Sequence, residues 1–253
     1  LSDLSKKVIY LYQKVYDKPK EEIRILDLGS GLGKTTIKLR HEGYSSYGAD
    51  IDEEQVILSN KTSKLCGFEE IFYDISKDNT TPFEDNFFDI ILTDNVLEHV
   101  HNHRTLVSEV SRITKRGGFG YHTFPARYCL VEPHLKMPLL NFLPSGYFKD
   151  IIILLFVKLG VEPFWNELNE LEYSDKAKAY SDYLNDYTAY PSFNFLDKVF
   201  NYNLIFTKSL FLHSPWIKAN KYVNLVLNNS FFRKSFEKAG NYLISNKIFT
   251  IKV

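Results

Sequence analysis

Cysteine is scarce, with Cys66 and Cys129 the only two in 253 residues. Two thiols build neither a disulfide framework nor a zinc set, and they fit an intracellular, cytoplasmic setting. Excess charge is missing as well. Lys+Arg and Asp+Glu both number 31, so the formal net charge is zero. A phosphate-backbone footprint needs a basic excess on some face, so nucleic acid is not an expected partner. Long apolar runs are absent. Ile151 to Val157 is strongly apolar, but Lys149, Asp150 and Lys158 bracket it and it is too short to cross a bilayer. No membrane span is expected. No repeat, low-complexity tract or signal-peptide pattern is visible, although the chain starts at Leu1 rather than Met.

What is present is ordinary for a soluble globular protein, with 44% hydrophobic and 25% charged residues. The length suits one domain with an embellishment, or two small domains. Aromatics reach 15% and concentrate after residue 118, so the second half carries most of the ring surface.

The informative stretch is Glu22 to Gly33. Ile23, Ile25, Leu26 and Leu28 form an apolar run suited to a buried parallel strand, with Asp27 an oddity inside it. Gly29, Gly31 and Gly33 follow, and then a helical pattern from Lys34. Strand, glycine turn and helix open a βαβ unit. Glycine permits the tight turn and the close approach of a ligand. A P-loop needs a glycine where Leu28 stands, and G-x-G-x-x-G needs one at Lys34 or Thr36, so both patterns fail. The pattern that matches is Asp27-x-Gly-x-Gly-x-Gly.

Further strands are expected at Ser46–Ile51, Glu70–Tyr73, Phe87–Thr93, Phe119–Phe124, Tyr202–Lys208 and Lys247–Val253. Helices are expected at Leu4–Asp17, Lys34–His41, Glu53–Cys66, Arg104–Thr114, Phe193–Phe200 and Pro215–Ala239. Leu4, Val8, Leu11, Tyr12 and Val15 would form the buried face of the first. Lys115–Gly118 reads as a turn. The alternation predicts an α/β, doubly wound, mostly parallel sheet that binds ligands at the carboxyl ends of its strands. Asp50 lies at the ribose-binding distance past the glycines, with Asp52 left to cap the next helix. Asp74, at the end of the third strand, reads equally as an acceptor for an adenine amino group or as a solvated turn residue. Ile75 would pack on the ring.

Asp27-x-Gly-x-Gly-x-Gly, Asp50, Asp74, Phe88-Asp89-Ile90 through Leu97-Glu98-His99, and Gly117-Gly118 occur in order over about residues 22–124. Together they resemble the class I S-adenosylmethionine (SAM)-dependent methyltransferases. The resemblance implies a Rossmann-like sheet of about seven strands, and SAM as cofactor with S-adenosylhomocysteine as product. It implies cofactor contacts from Asp27, Gly29, Ser30, Gly31, Gly33, Asp50, Ile51, Asp74, Ile75 and Asn95. The Glu132-Pro133-His134 element resembles a subgroup of that family. The implied organisation is a core at 1–134, a helical, aromatic-rich cap at 135–190, and a completing segment at 191–253.

Methyl transfer asks the protein mainly to position an acceptor and accept its proton. His134, oriented by Glu132, is the leading candidate base, and His99 the next. His122, inside a strand, reads as buried. Arg127 and Tyr128 are candidate acceptor contacts. His99, His101 and His103 alternate on a loop, a poor match to metal spacing, and no metal is expected. The cap aromatics would either roof an apolar pocket or form the cap's own core. The expected acceptor is a small molecule or a glycan or lipid precursor, methylated on O or N. Two rivals are a SAM- or partner-binding module without transfer and an NAD-dependent oxidoreductase.

Overall fold

The computed structural model describes residues 2–76, 78–213 and 230–253. The first helix, α1 (Asp3–Tyr16), starts where the Ser2 hydroxyl accepts the Ser5 N–H. It buries Leu4, Val8, Ile9 and Tyr12 against Phe119, Ile23 and Leu92. Leu11 and Val15, expected on that face, are about half exposed. Ile9 is buried in their place, and Tyr12 within the stripe donates a hydrogen bond to Asp89 (2.7 Å).

The core alternates as expected: β1 (Arg24–Leu28), α2 (Lys34–His41), β2 (Ser45–Asp50), α3 (Glu53–Leu65), β3 (Phe72–Asp74), β4 (Phe88–Asp94), α4 (His103–Ile113) and β5 (Thr114–Pro125). After the cap come α7 (Phe193–Tyr202), β6 (Ile205–Ser209), α8 (Ser230–Leu243) and β7 (Ser245–Lys252). The strands form one seven-stranded sheet in the order β3-β2-β1-β4-β5-β7-β6. β1 pairs in parallel with β2 and β4, while β7 runs antiparallel between β5 and β6. The order reverses between β1 and β4, and the crevice at such a switch point is where α/β sheets bind ligands. Leu26, Leu28, Ile91, Phe124 and Ile248 pack one sheet face, and Ile23, Ile25, Ile90 and Leu92 the other.

Two boundaries correct the sequence reading. Lys115–Gly118 is a kink within β5 rather than a turn before it. Thr114 already pairs with Phe88, and the register then jumps to Ile90–Phe119. Gly117 adopts φ +74°, a left-handed conformation that glycine tolerates. The kink lets Lys115 Nζ reach Asp89 at 2.8 Å. In the C-terminal part, the helix expected over Pro215–Ala239 falls partly outside the described residues. Its described portion is α8.

The segment after β5 builds a hydrophobic cluster of its own. In it, α5 (Tyr147–Lys158) packs on α6 (Tyr173–Tyr187) through Leu140, Ile153, Val157, Ala177, Tyr180 and Leu184. Trp165 sits edge-on to Tyr180 and Tyr183, at 5.0 Å from each. The aromatics divide between this cluster and solvent, since Tyr147, Phe148, Phe164 and Tyr173 are exposed.

Candidate functional site

The carboxyl ends of β1, β2 and β4 enclose a cavity of about 620 Å³, within the range of small-molecule sites. The glycine turn forms one wall. Gly29 has φ +78°, and a Cβ there would lie 2.3 Å from Val96. A Cβ on Gly33 would lie 2.3 Å from Phe72, so neither position admits a side chain without rearrangement. Gly33 starts α2 without a side-chain cap, which leaves its first N–H groups to other partners.

Asp50 ends β2 beside this turn. Its Oδ2 accepts the Gly31 N–H at 2.7 Å and its Oδ1 accepts the Asp52 N–H at 3.1 Å. Each carboxylate oxygen keeps a free lone pair, the pair of acceptors that a vicinal diol's hydroxyls need. Asp52 caps α3 by accepting the Gln55 N–H. Gly29, Asp50, Ile51, Ile75, Asn95 and His99 line the cavity. Gly31 and Ser30 complete the turn behind them, and the Ser30 hydroxyl is buried with no partner. These residues fit a nucleoside with a short extension, which is the shape of SAM.

Four sequence candidates lie elsewhere. Asp27 is buried behind the turn, where it accepts a hydrogen bond from the Thr36 hydroxyl, and burial pushes its carboxyl up to about 7. Asp74 is exposed and outside the cavity lining, while Asn79 occupies the wall near Ile75. Arg127 is exposed, 5.8 Å over the Tyr128 ring, and neither residue lines a sheet-edge cavity.

A second cavity of about 410 Å³ adjoins the first at the ends of β4 and β5. Its walls include Asp94, Asn95, Tyr121, Thr123, Asn246 and Lys247. Asn246 is fully buried, and neither its amide oxygen nor its nitrogen has a partner. An orphaned buried amide costs about 1–3 kcal/mol, so this one is poised for a polar ligand. Asn95 lines both cavities and holds φ +55°. Such left-handed conformations of a non-glycine residue collect at functional sites. Asn246 was invisible in the sequence, since nothing in the terminal strand's alternation marks it. Of the cap aromatics, Tyr187 lines the larger of these cavities, and Phe164, Trp165 and Tyr183 line a separate one of about 470 Å³ beside His134.

The remaining candidates form a cluster beside the larger cavity. The Glu132 carboxylate is buried and accepts from the Leu135 N–H, the Tyr190 hydroxyl and His134 Nδ1 (3.0 Å). Burial alone would raise its pKa, but these hydrogen bonds outweigh burial and hold it below the ordinary glutamate value. His99 Nδ1 lies 2.7 Å from the Tyr187 carbonyl. The two imidazoles meet at 5.1 Å between ring centres. Glu98, noted in the sequence only as part of a motif, is fully buried with no partner on either carboxylate oxygen. Burial pushes it up to about 7. Among the described residues no helix is long and apolar enough to cross a membrane.

Residues 26–121 match the family model described as a methyltransferase domain. Over 109 residues the chain is 28% identical to norajmaline N-methyltransferase of Rauvolfia serpentina, covering 42% of this chain and 37% of that enzyme. Over 97 residues it is 30% identical to the uncharacterized methyltransferase YcgJ of Bacillus subtilis, covering 38% of each. The matched stretch thus spans under half the length of either relative. The solved YcgJ structure superposes with a TM-score of 0.53 over 98% of both chains at 18% identity, a likeness of fold.

Proposed function

The chain carries a class I SAM-dependent methyltransferase domain, and from that premise we propose that it transfers a methyl group from SAM to an O or N atom of a small-molecule, glycan or lipid-precursor acceptor. The observation that carries this reading is Asn95, which lines both the nucleoside-sized cavity and the smaller cavity beside it. Two ligands in these cavities meet at one residue, as a transfer reaction requires. SAM, when bound, supplies a sulfonium methyl group open to in-line attack.

The chain's own residues then have separable tasks. Asp50 accepts from the ribose hydroxyls, and its hold on the Gly31 N–H keeps the glycine turn in shape. Ile51 and Ile75 offer apolar faces to the base. Asn246 and Lys247 present polar groups to the acceptor, in a cavity whose other walls include Leu4, Phe124, Val131 and Ile244. His99 and His134 have Nδ1 engaged by oxygen acceptors, which leaves Nε2 unprotonated in the neutral ring and able to take a proton. An exposed Cys66 and a buried Cys129, both free, fit a reducing cytoplasmic setting.

The test is a methyl-transfer screen with labelled SAM against hydroxyl and amine acceptors, with Asn246→Leu in parallel. Transfer by the wild type, with a raised acceptor KM in Asn246→Leu, supports the reading. Cofactor binding without transfer to any acceptor would replace it with a non-catalytic SAM-binding module.

A further inference from the structure

We propose that Glu98, His99 and His134 form a binding site for a first-row divalent transition cation beside the cofactor cavity. One ring nitrogen of each histidine and a Glu98 carboxylate oxygen lie within 4.8 Å of one another. Three ligands at 2.0–2.2 Å from a shared ion lie about 3.3–3.8 Å apart, so the set closes with side-chain shifts of up to about 1 Å. His99 is exposed and free to make them.

Three features distinguish this group from a chance cluster. The Glu98 carboxylate is fully buried and neither oxygen has a hydrogen-bond partner. A buried, unsatisfied carboxylate is costly unless something binds it, and a cation is the chemistry it lacks. Each imidazole is also oriented from behind. His99 Nδ1 donates to the Tyr187 carbonyl and His134 Nδ1 to Glu132, which leaves both Nε2 atoms as ligands. Metal-bound histidines are held by just such carbonyl and carboxylate partners. Finally, the three ligands occupy only part of a coordination sphere. Two imidazoles and one carboxylate suit first-row transition ions with open positions, available to water or to an oxygen of the acceptor. Glu132 and Tyr190 are then positioning residues, since Glu132 is already saturated by Leu135, Tyr190 and His134.

This inference rests on the methyltransferase reading and sharpens it: with a cation bound, His99 and His134 act as ligands rather than as bases. It also replaces the sequence expectation of no metal, which was argued from His99, His101 and His103. The structure directs His101 Nε2 to the Asp186 carbonyl and His103 Nε2 to the Leu97 carbonyl instead.

The test is titration of the EDTA-stripped full chain with Co²⁺, followed by calorimetry and visible absorption. One equivalent is expected, with a d–d band. Glu98→Gln, His99→Ala and His134→Ala should each weaken binding at least tenfold, and Glu132→Gln by 10–100-fold through its hold on His134. His101→Ala should bind as the wild type does. No uptake of Co²⁺, or uptake insensitive to Glu98→Gln and His99→Ala, would overturn the proposal. A titration of the stripped chain with S-adenosylhomocysteine runs alongside. Retained binding there means that the loss concerns the cation site alone, and absent binding means that the methyltransferase reading itself has failed.

Discussion

Two buried carboxylates bracket β4, and the contrast between them separates the structural edge of the sheet from the working edge. Asp89, at the amino end, is fully buried and saturated. Lys18 (2.9 Å), Lys115 (2.8 Å), the Tyr12 hydroxyl (2.7 Å) and the Arg24 N–H (2.9 Å) all point at it. Burial alone would raise its pKa, but those hydrogen bonds prevail and hold it below the ordinary aspartate value. Glu98, just past the carboxyl end, is equally buried and has no hydrogen-bond partner on either carboxylate oxygen. Asp89 ties α1, β1, β4 and the β5 kink together. The Glu98 carboxylate ties nothing, and its unmet hydrogen-bonding capacity lies beside His99 and His134. The same division holds for Asn246, orphaned at the working edge of β7.

Asp89→Ala should break this contrast most severely. It strands two lysines and a buried hydroxyl, and should cost about 3–5 kcal/mol by urea unfolding, since breaking a buried ion pair leaves uncompensated groups. A loss under 1 kcal/mol would remove Asp89 from its role as anchor.

His122 gives the next effect. It is fully buried between Thr93 and Thr250, and burial pushes its pKa down to about 4. The unfolded chain takes up this proton near pH 6.5 and the folded chain only near 4. Between those values the unfolded state binds more protons, so stability falls as the pH falls. The contribution is full above pH 6.5, and up to about 3 kcal/mol is lost by pH 4. His122→Gln should flatten this slope in urea midpoints measured from pH 7 to 4.5. An identical slope in the variant would assign the acid sensitivity elsewhere.

Glu98→Gln, in EDTA, should not destabilise the protein, because no side-chain partner is lost and a buried carboxylate is removed. A destabilisation near that of Asp89→Ala would erase the distinction between the two carboxylates. The smallest effect belongs to Arg127→Ala. The side chain is exposed and outside both cavities, so stability should move by less than about 0.5 kcal/mol and cofactor affinity not at all. A marked rise in acceptor KM would restore Arg127 as an acceptor contact.

The fold was largely legible because its signals are local. Apolar runs at residues 23–28 and 87–93, the glycine turn, and Asp52 as a helix cap each report on a few neighbouring residues. The misreadings have non-local causes. On the buried face of α1, Tyr12 reaches Asp89, 77 residues away. The β5 kink, at Gly117, brings Lys115 to the same carboxylate. The site was legible in part for the same reason. Gly29, Asp50, Ile51, Ile75 and Asn95 follow from strand ends and do line one cavity. Asn246 and Glu98 do not follow, because what marks them is the lack of a partner, and a partner's absence has no pattern in sequence. Asp74 fell outside the wall because β3 ends with its side chain toward solvent.

On the proposed function, the cavity at the carboxyl ends of β1, β2 and β4 holds SAM through Asp50 and the glycine turn. Calorimetric titration with S-adenosylhomocysteine, on the wild type and on Asp50→Ala, tests it most directly. The account expects one site per chain, weakened about 10–100-fold in Asp50→Ala as hydrogen bonds to a charged acceptor are lost. No binding to the wild type, or equal binding to both proteins, would contradict it.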